Sequence, residues 1–247
     1  VMDSTKNILC VIPVRGGSKG IPRKNLLPIA GRPLVEWTVM QALQAQRDVH
    51  GEVDFRVVVS TDDQELAKVA REAGAEVPFM RPAELAEDTT ATEPVIEHAM
   101  AEYRDRGFDP DAVVLLQATS PLRLPGTIAR AVRDFLASEA DSMVGVIPQG
   151  PFIWAAGETP RAEYDVMNRP RRQELTRETY RYRENGSLYV TSAGIYDRLH
   201  NRLGGMIELF IMDEIEGVDI DTPIDFAVAE AQLRETYPDH SSEGFNQ

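Results

Sequence analysis

Residues 7–25 read Asn7-Ile-Leu-Cys-Val-Ile-Pro-Val-Arg-Gly-Gly-Ser-Lys-Gly-Ile-Pro-Arg-Lys-Asn25. The first half is a short apolar run without a polar face, the pattern of a strand buried on both sides in a parallel sheet. The second half breaks into glycines and bases. Between Arg15 and Lys24 there are four bases and no acid. Gly16, Gly17 and Gly20 let the backbone approach a ligand closely and point several N–H groups at phosphate oxygens. The chain has 22 arginines and only four lysines, and two of the four, Lys19 and Lys24, stand in this loop. Ammonium point charges are wanted there; a flexible basic surface loop is the competing reading. The spacings G-x-x-x-x-G-K-[ST] and G-x-G-x-x-G are both absent, and Pro22 would interrupt a helix begun directly after the glycines. Ordinary P-loop and dinucleotide-binding folds are thereby disfavoured.

The loop is an inversion of the whole. Across 247 residues, 26 Lys and Arg face 40 Asp and Glu, a formal net charge of −14. Such a field repels nucleic acid and anionic membrane, so neither is expected as a partner. Cys10 is the single cysteine, which leaves no intramolecular disulfide, and it reads as a small buried hydrophobe. No apolar stretch approaches the ~20 residues that span a bilayer. The polar start has no signal-peptide pattern, and the expected location is cytoplasmic.

Short apolar runs alternate with amphipathic stretches along most of the chain, as in a mostly parallel α/β sheet. Strands are expected at 7–13, 55–61, 75–79, 112–117, 142–147, 187–190 and 209–212. Helices are expected at 34–43, 64–73, from Thr92, at 127–136 and from Thr222 to about Glu235. Polar residues cluster after three of the strands, at Ser60-Thr-Asp62, at Ala118-Thr-Ser-Pro-Leu-Arg123 and in the basic loop, which marks a functional edge. From Gln149 to about Glu184 the pattern breaks, with Pro151, Pro160 and Pro170 and seven arginines against six acids. This segment reads as an arm or lid. The expected division is a catalytic domain of residues 1–148 and 185–238, the arm at 149–184, and a flexible tail at 239–247.

The basic loop resembles the nucleotide-binding signature of sugar-activating nucleotidyltransferases, and in detail the N-acylneuraminate cytidylyltransferases, also called CMP-sialic acid synthetases. Similar blocks follow in family order: Ser60-Thr-Asp62, Arg81-Pro-Ala-Glu-Leu-Ala-Glu-Asp-Thr89, Leu115-Leu-Gln-Ala-Thr-Ser-Pro-Leu-Arg123, Glu184-Asn-Gly-Ser-Leu-Tyr189 and Val218-Asp-Ile-Asp-Thr-Pro223. The resemblance covers about residues 7 to 234. It implies a Rossmann-like three-layer sandwich with a mostly parallel sheet and a protruding dimerisation arm. It also implies transfer of CMP from CTP to a hydroxyl of a nine-carbon 2-keto-3-deoxy acidic sugar, of sialic, legionaminic or pseudaminic type, with release of pyrophosphate.

Residue by residue, the resemblance gives Arg15, Gly16, Gly17, Ser18, Lys19 and Lys24 to the triphosphate, and Asn25, Arg81 and Thr92 to cytosine and ribose. Thr92 stands where the family usually has serine. Gln117, Thr119, Ser120, Asn185 and Tyr189 would form the acceptor side, and Asp219 and Asp221 would hold Mg²⁺. Arg15, Lys19 and the two aspartates would carry the chemistry. The residues support the metal role on their own: carboxylates at i and i+2 of an extended run project on one side, and one or two carboxylates plus substrate phosphates are what Mg²⁺ takes. A solvated acid pair beside the cap of the last helix is the other reading. Surface pairing remains open for Arg81, an N-cap for residues 60–62, and a hydrogen-bonded strand end for Gln117. The scattered histidines read as structural or solvated, and Trp37 and Trp154 as packing residues, with Trp154 in the arm where it could also line the acceptor site.

In the family the arm exchanges between two subunits, and its bases enter the partner's site. Arg172 matches the family's arm arginine, so a homodimer is implied. Two departures concern the acceptor. Sialic-acid members place a lysine early in the arm, whereas this chain has none after Lys68, and the stretch from Leu175 to Asn185 is about three residues longer than usual. Cytidylylation of another acidic acceptor, a phosphonate or 3-deoxy-octulosonate, is the enzymatic alternative. A non-catalytic nucleotide-binding module is the third reading, and it predicts loss of a metal carboxylate or loop lysine; neither is lost.

Overall fold

The computed structural model describes residues 5–17 and 20–240. The first strand, β1 (Lys6–Pro13), alternates its contacts. Ile8, Cys10 and Ile12 belong to one buried cluster and Leu9 and Val11 to another, which is why the run carries no polar face. Two short strands, β2 (Pro28–Ile29) and β3 (Arg32–Pro33), form a small antiparallel pair ahead of α1 (Leu34–Asp48). There follow β4 (Val53–Ser60), α2 (Gln64–Glu72), α3 (Thr92–Arg104), β5 (Ala112–Leu116), α4 (Thr127–Ala137) and β6 (Ser142–Gln149). A separate hairpin, β7 (Trp154–Ala155) with β8 (Arg161–Ala162), precedes β9 (Arg181–Ser192), α5 (Ala193–Leu199), β10 (Ile207–Ile211) and α6 (Pro223–Thr236).

The central sheet has the order β10-β6-β9-β5-β1-β4, and within it β9 alone runs antiparallel to its neighbours. β1 lies between β4 and β5, with Cys10 beside Val57 on one side and Val114 on the other. One face carries α1, α2 and α4 through Val35, Val39, Leu66, Ile128 and Val132. The other carries α3 and α5 through Ile96, Ala99, Met100 and Tyr196. α6 closes a third cluster with Ala229 and Leu233 against Leu34 and Trp37. This is a three-layer α/β sandwich with a mixed, mostly parallel sheet. Among the described residues no helix is long and apolar enough to cross a membrane.

Three elements differ from the sequence reading. Residues 75–79 form no strand; they touch β4 through a single bridge, Val58 to Glu76. The strand expected at 187–190 is longer and begins at Arg181, pairing Gln149 with Arg181 and Ile147 with Arg183. Its first residues, Arg181-Tyr-Arg-Glu184, are charged or half-exposed and show no apolar alternation. The chain therefore leaves the sheet after Gln149 and re-enters at Arg181, inside the segment 149–184. The short α5 offered too few turns for a helical period to register.

Candidate active site

In parallel strands the carboxyl ends share one edge, and in open α/β sheets that edge is where ligands bind. The loops after β1, β4 and β5 meet there. They enclose a cavity of about 390 Å³ lined by Arg15, Gly17, Gly20, Lys24, Asn25, Arg81, Thr92, Gln117, Thr119 and Asp221, among others. Most of the expected nucleotide residues and part of the expected acceptor set thus face one space. Ser18 and Lys19 lie outside the described residues.

The glycines are demanded by neighbours within the chain. A Cβ on Gly16 would stand 2.6 Å from an Asp63 carboxylate oxygen, and one on Gly20 would stand 2.8 Å from the Asp221 carbonyl oxygen. A Cβ on Gly17 would meet nothing within 4 Å. The basic loop is therefore wedged between the start of α2, which Asp63 caps by accepting from the N–H groups of Glu65 and Leu66, and the Asp219–Asp221 stretch. Gly16 donates its N–H to Asp62 at 3.1 Å, and Arg15 forms an ion pair with Asp88. The partner Asp88 was not singled out by the sequence reading. Its signal was an acid inside the block that follows Arg81.

Lys24 and Asn25 sit in a 3₁₀ turn, each only 9 % exposed. The Lys24 ammonium donates to the Ile220 carbonyl. The Asn25 Oδ1 is buried without a hydrogen-bond partner, although Asn25 lines the cavity. An orphaned acceptor of this kind carries a desolvation cost that a ligand donor would remove. Arg81 is buried and donates to Ser60 Oγ (3.2 Å), to the Ser60 carbonyl (2.5 Å) and to the Val14 carbonyl (3.3 Å). It locks the ends of β1 and β4 together. Burial pushes its guanidinium down to about 10, against the charge of Asp62.

Gln117 ends β5, and Gly186, at φ +70°, leaves the space its carboxamide occupies; a Cβ there would come 3.2 Å from Gln117 Oε1. Beneath it, Arg123 is fully buried and donates to the carbonyls of Gln117 (2.9 Å) and Ser187 (2.8 Å), to Gln41 Oε1 (3.0 Å) and to Thr38 Oγ1 (3.2 Å). The sequence reading quoted Arg123 within a block but gave it no role.

Asp219 and Asp221 flank the buried Ile220, whose N–H donates to the Thr119 carbonyl at 2.9 Å. They follow a 3₁₀ turn (Glu214–Gly217) and precede α6 without belonging to a strand. Ser120 Oγ lies 3.5 Å from Asp219 Oδ1 and donates to the Asn185 carbonyl at 3.2 Å. Burial pushes the Asp219 carboxyl above its ordinary range; a hydrogen bond from Thr119 opposes this, and the charge of Asp221 adds to it. A half-buried carboxylate beside a second one fits a cation. Among the described residues no three His, Cys, Asp or Glu side chains converge on a metal position. The aspartate pair suits a hard divalent ion whose remaining positions go to substrate oxygens and water.

Four expected acceptor residues, Ser120, Asn185, Tyr189 and Arg172, do not line the cavity. Asn185 spends its amide inside the chain: Nδ2 donates to the Glu216 carbonyl at 3.2 Å, and Oδ1 accepts from Ser187 N–H at 3.0 Å. The Tyr189 hydroxyl donates to Glu184 at 2.9 Å, and its buried ring lies under the Arg202 guanidinium. Arg172 stands in an exposed turn of the arm. Trp154 is exposed at the arm hairpin and packs edge-on against Tyr164.

The chain as a whole has relatives among known proteins. The chain is 33% identical over 228 residues to CMP-N,N'-diacetyllegionaminic acid synthase of Legionella pneumophila, covering 90% of this chain and 94% of that protein. It is 33% identical over 235 residues to N-acylneuraminate cytidylyltransferase A of Danio rerio, covering 93% of this chain and 51% of that longer protein. Among solved structures, the CMP:2-keto-3-deoxy-manno-octonic acid synthetase complexed with CTP shares the fold at a TM-score of 0.67 and 17% identity, covering 93% of this chain and 99% of the other. The family model described as Cytidylyltransferase matches residues 9–234, from β1 through the last turns of α6, so every element that builds the cavity lies within it and the chain belongs to that family of CTP-dependent nucleotidyltransferases.

Proposed function

We propose that this cytidylyltransferase acts on a nine-carbon 2-keto-3-deoxy acidic sugar of the sialic, legionaminic or pseudaminic type, producing the CMP-sugar and pyrophosphate. The observation that carries the reading is the near full-length likeness to a legionaminic acid synthase, 94% of which the chain covers. A sugar hydroxyl attacks the α-phosphorus of CTP in line, and pyrophosphate leaves. Arg15 and Lys24, with Ser18 and Lys19, hold the triphosphate through charge and the glycine-rich backbone. Asn25 offers its unpartnered Oδ1 to a donor on the cytidine. Arg81 holds the strand ends on which the nucleoside rests, and Thr92 faces it from the start of α3.

Gln117 and Thr119 face the acceptor from the end of β5, with Ser120 behind them and Asn185 and Tyr189 supporting the wall. The work of these residues is positioning and charge stabilisation, and no covalent nucleophile is needed.

Cytidylyltransferases of this kind generally use a divalent metal ion; in this chain Mg²⁺ on Asp219 and Asp221 is the proposed one. When bound it supplies charge neutralisation where two anions must meet. The working unit is proposed to be a homodimer in which the arm, residues 149–184, of one copy brings Arg172 to the acceptor of the other, while residues 1–148 and 185–238 form the catalytic domain. A guanidinium fork suits the acceptor's carboxylate.

The test is pyrophosphate release with CTP and Mg²⁺ over N-acetylneuraminate, legionaminate, pseudaminate, 3-deoxy-octulosonate and small phosphonates. Turnover with one nine-carbon sugar, abolished in Asp219→Ala, is the expected result. Turnover confined to the octulosonate or a phosphonate would replace the acceptor and keep the chemistry.

A further inference from the structure

Among the described residues, two donors that the basic loop would offer to phosphate are occupied by carboxylates of the same chain. Arg15 is paired with Asp88, and the Gly16 N–H is taken by Asp62 at 3.1 Å. Asp88 belongs to a stretch between a 3₁₀ turn at Ala83–Leu85 and α3, which forms one wall of the cavity. It lies outside any helix or strand, so it can leave without breaking the sheet. Asp62, by contrast, sits directly after β4 and beside the cap of α2. The side chains of Arg15 and Asp88 are 28% and 52% exposed, which lets a displaced Asp88 regain water at once.

We infer that Asp88 is a built-in stand-in for the nucleotide's phosphate: CTP enters by displacing it from Arg15, and it returns as pyrophosphate leaves. This rests on the reading of the cavity as the CTP phosphate site. Asp88 thereby becomes a selectivity residue for that site. A ligand gains Arg15 only by replacing an existing ion pair, so a polyphosphate is favoured over weakly charged anions. The same exchange lowers affinity for the departing pyrophosphate and limits product inhibition. In the absence of ligand the carboxylate also offsets part of the loop's positive charge.

The experiment is isothermal titration of CTP, inorganic pyrophosphate and cytidine, at fixed Mg²⁺, into the full chain and its Asp88→Asn and Asp88→Ser variants. Both variants should bind CTP and pyrophosphate about threefold to fivefold more tightly, the size of a partly exposed ion pair, with cytidine binding unchanged. Unchanged or weaker CTP and pyrophosphate binding would overturn the proposal, because Asp88 would then be neutral or would be holding Arg15 in place for the phosphate. An equal gain for cytidine would also overturn it, since the effect would then lie in the nucleoside half of the cavity. A wild-type chain that binds neither CTP nor pyrophosphate would refute the cavity assignment and the proposal together. Wild-type binding with unaltered variants refutes the proposal alone.

Discussion

Gly20→Ala tests whether the basic loop and the aspartate pair act as one body. A Cβ on Gly20 stands 2.8 Å from the Asp221 carbonyl oxygen and 3.9 Å from its carbon. Comfortable contacts for carbon begin near ~3.5 Å, so the methyl separates loop and carboxylates by roughly 0.7 Å. The other side of the contact is backbone, which cannot swing away as a flexible side chain would. Gly20 is outside the left-handed region, so alanine is conformationally acceptable. Unfolding free energy should stay within about 1 kcal/mol of wild type. Misplacement on the order of 1 Å at a reacting centre costs up to about 100-fold in rate. Scaled to this shift, kcat/KM for CTP should fall roughly 10- to 30-fold, and the Mg²⁺ needed for half-maximal rate should rise with it. Pyrophosphate release at varied CTP and Mg²⁺, with urea unfolding in parallel, reads both quantities. A folded variant with wild-type kcat/KM would refute the reasoning, and so would a loss of activity matched by a loss of stability.

The other predictions concern single buried groups. Asn25→Leu removes an acceptor that makes no hydrogen bond among the described residues; thermal unfolding should be unchanged or improved while KM for CTP rises about tenfold, the worth of one hydrogen bond, and an unchanged KM would remove Asn25 from the cytidine contacts. Glu216, 1% exposed, accepts from Leu124 N–H (2.8 Å), Thr127 Oγ1 (2.6 Å) and Asp213 N–H (2.9 Å). Glu216→Gln turns an amide N–H₂ toward a donor and should cost about 1–3 kcal/mol, a Tm loss of about 3–10 °C for a chain of this size, read by calorimetry. Burial pushes the Cys10 thiol up to about 12, against the opposing charge of Arg123. The folded state therefore favours the neutral thiol: that contribution to stability is complete below pH ~8.5 and is lost as pH climbs toward 12. At pH 8 a disulfide reagent should label Cys10 only after unfolding, and rapid labelling of the native chain would contradict its burial.

The fold was legible wherever burial imposes a period. β1, β4 and β5 carry apolar runs because both faces of those strands are covered, and the polar clusters that follow them pointed to the carboxyl edge. β9 was half missed for the opposite reason. Its first residues pair with the end of β6, but three of the four, Arg181, Arg183 and Glu184, are charged and gave no alternation. The bridge at Glu76 shows the reverse error, apolar residues beside a strand that never enter the ladder. At the site, sequence found the residue types that chemistry requires but could not see which were already committed inside the chain. Asn185 and Tyr189 read as ligand contacts, yet their polar atoms hold Glu216 and Glu184. Gly16 and Gly20 read as room for a ligand, yet the close neighbours are Asp63 and Asp221. Contacts between distant parts of a chain leave no local pattern.

A chain with net charge −14 that handles CTP, and on the proposed function an acidic sugar, faces a consistent electrostatic problem. Its overall field opposes both substrates. The local answer is a loop with four bases and no acid, set at the strand ends where Arg81 adds more positive charge in a recess. Burial pushes the Arg81 guanidinium down to about 10, which means its charge is expensive to hold, and it is held by three backbone carbonyls and one hydroxyl instead of a carboxylate partner. Arg15 is the exposed member, and it is paired with an acid that can step aside. One cation is thus fixed as framework and the other is exchangeable. Such a division lets a site be rigid before the nucleotide arrives and still release a highly charged product, since the exchangeable pair is broken and remade in each turnover.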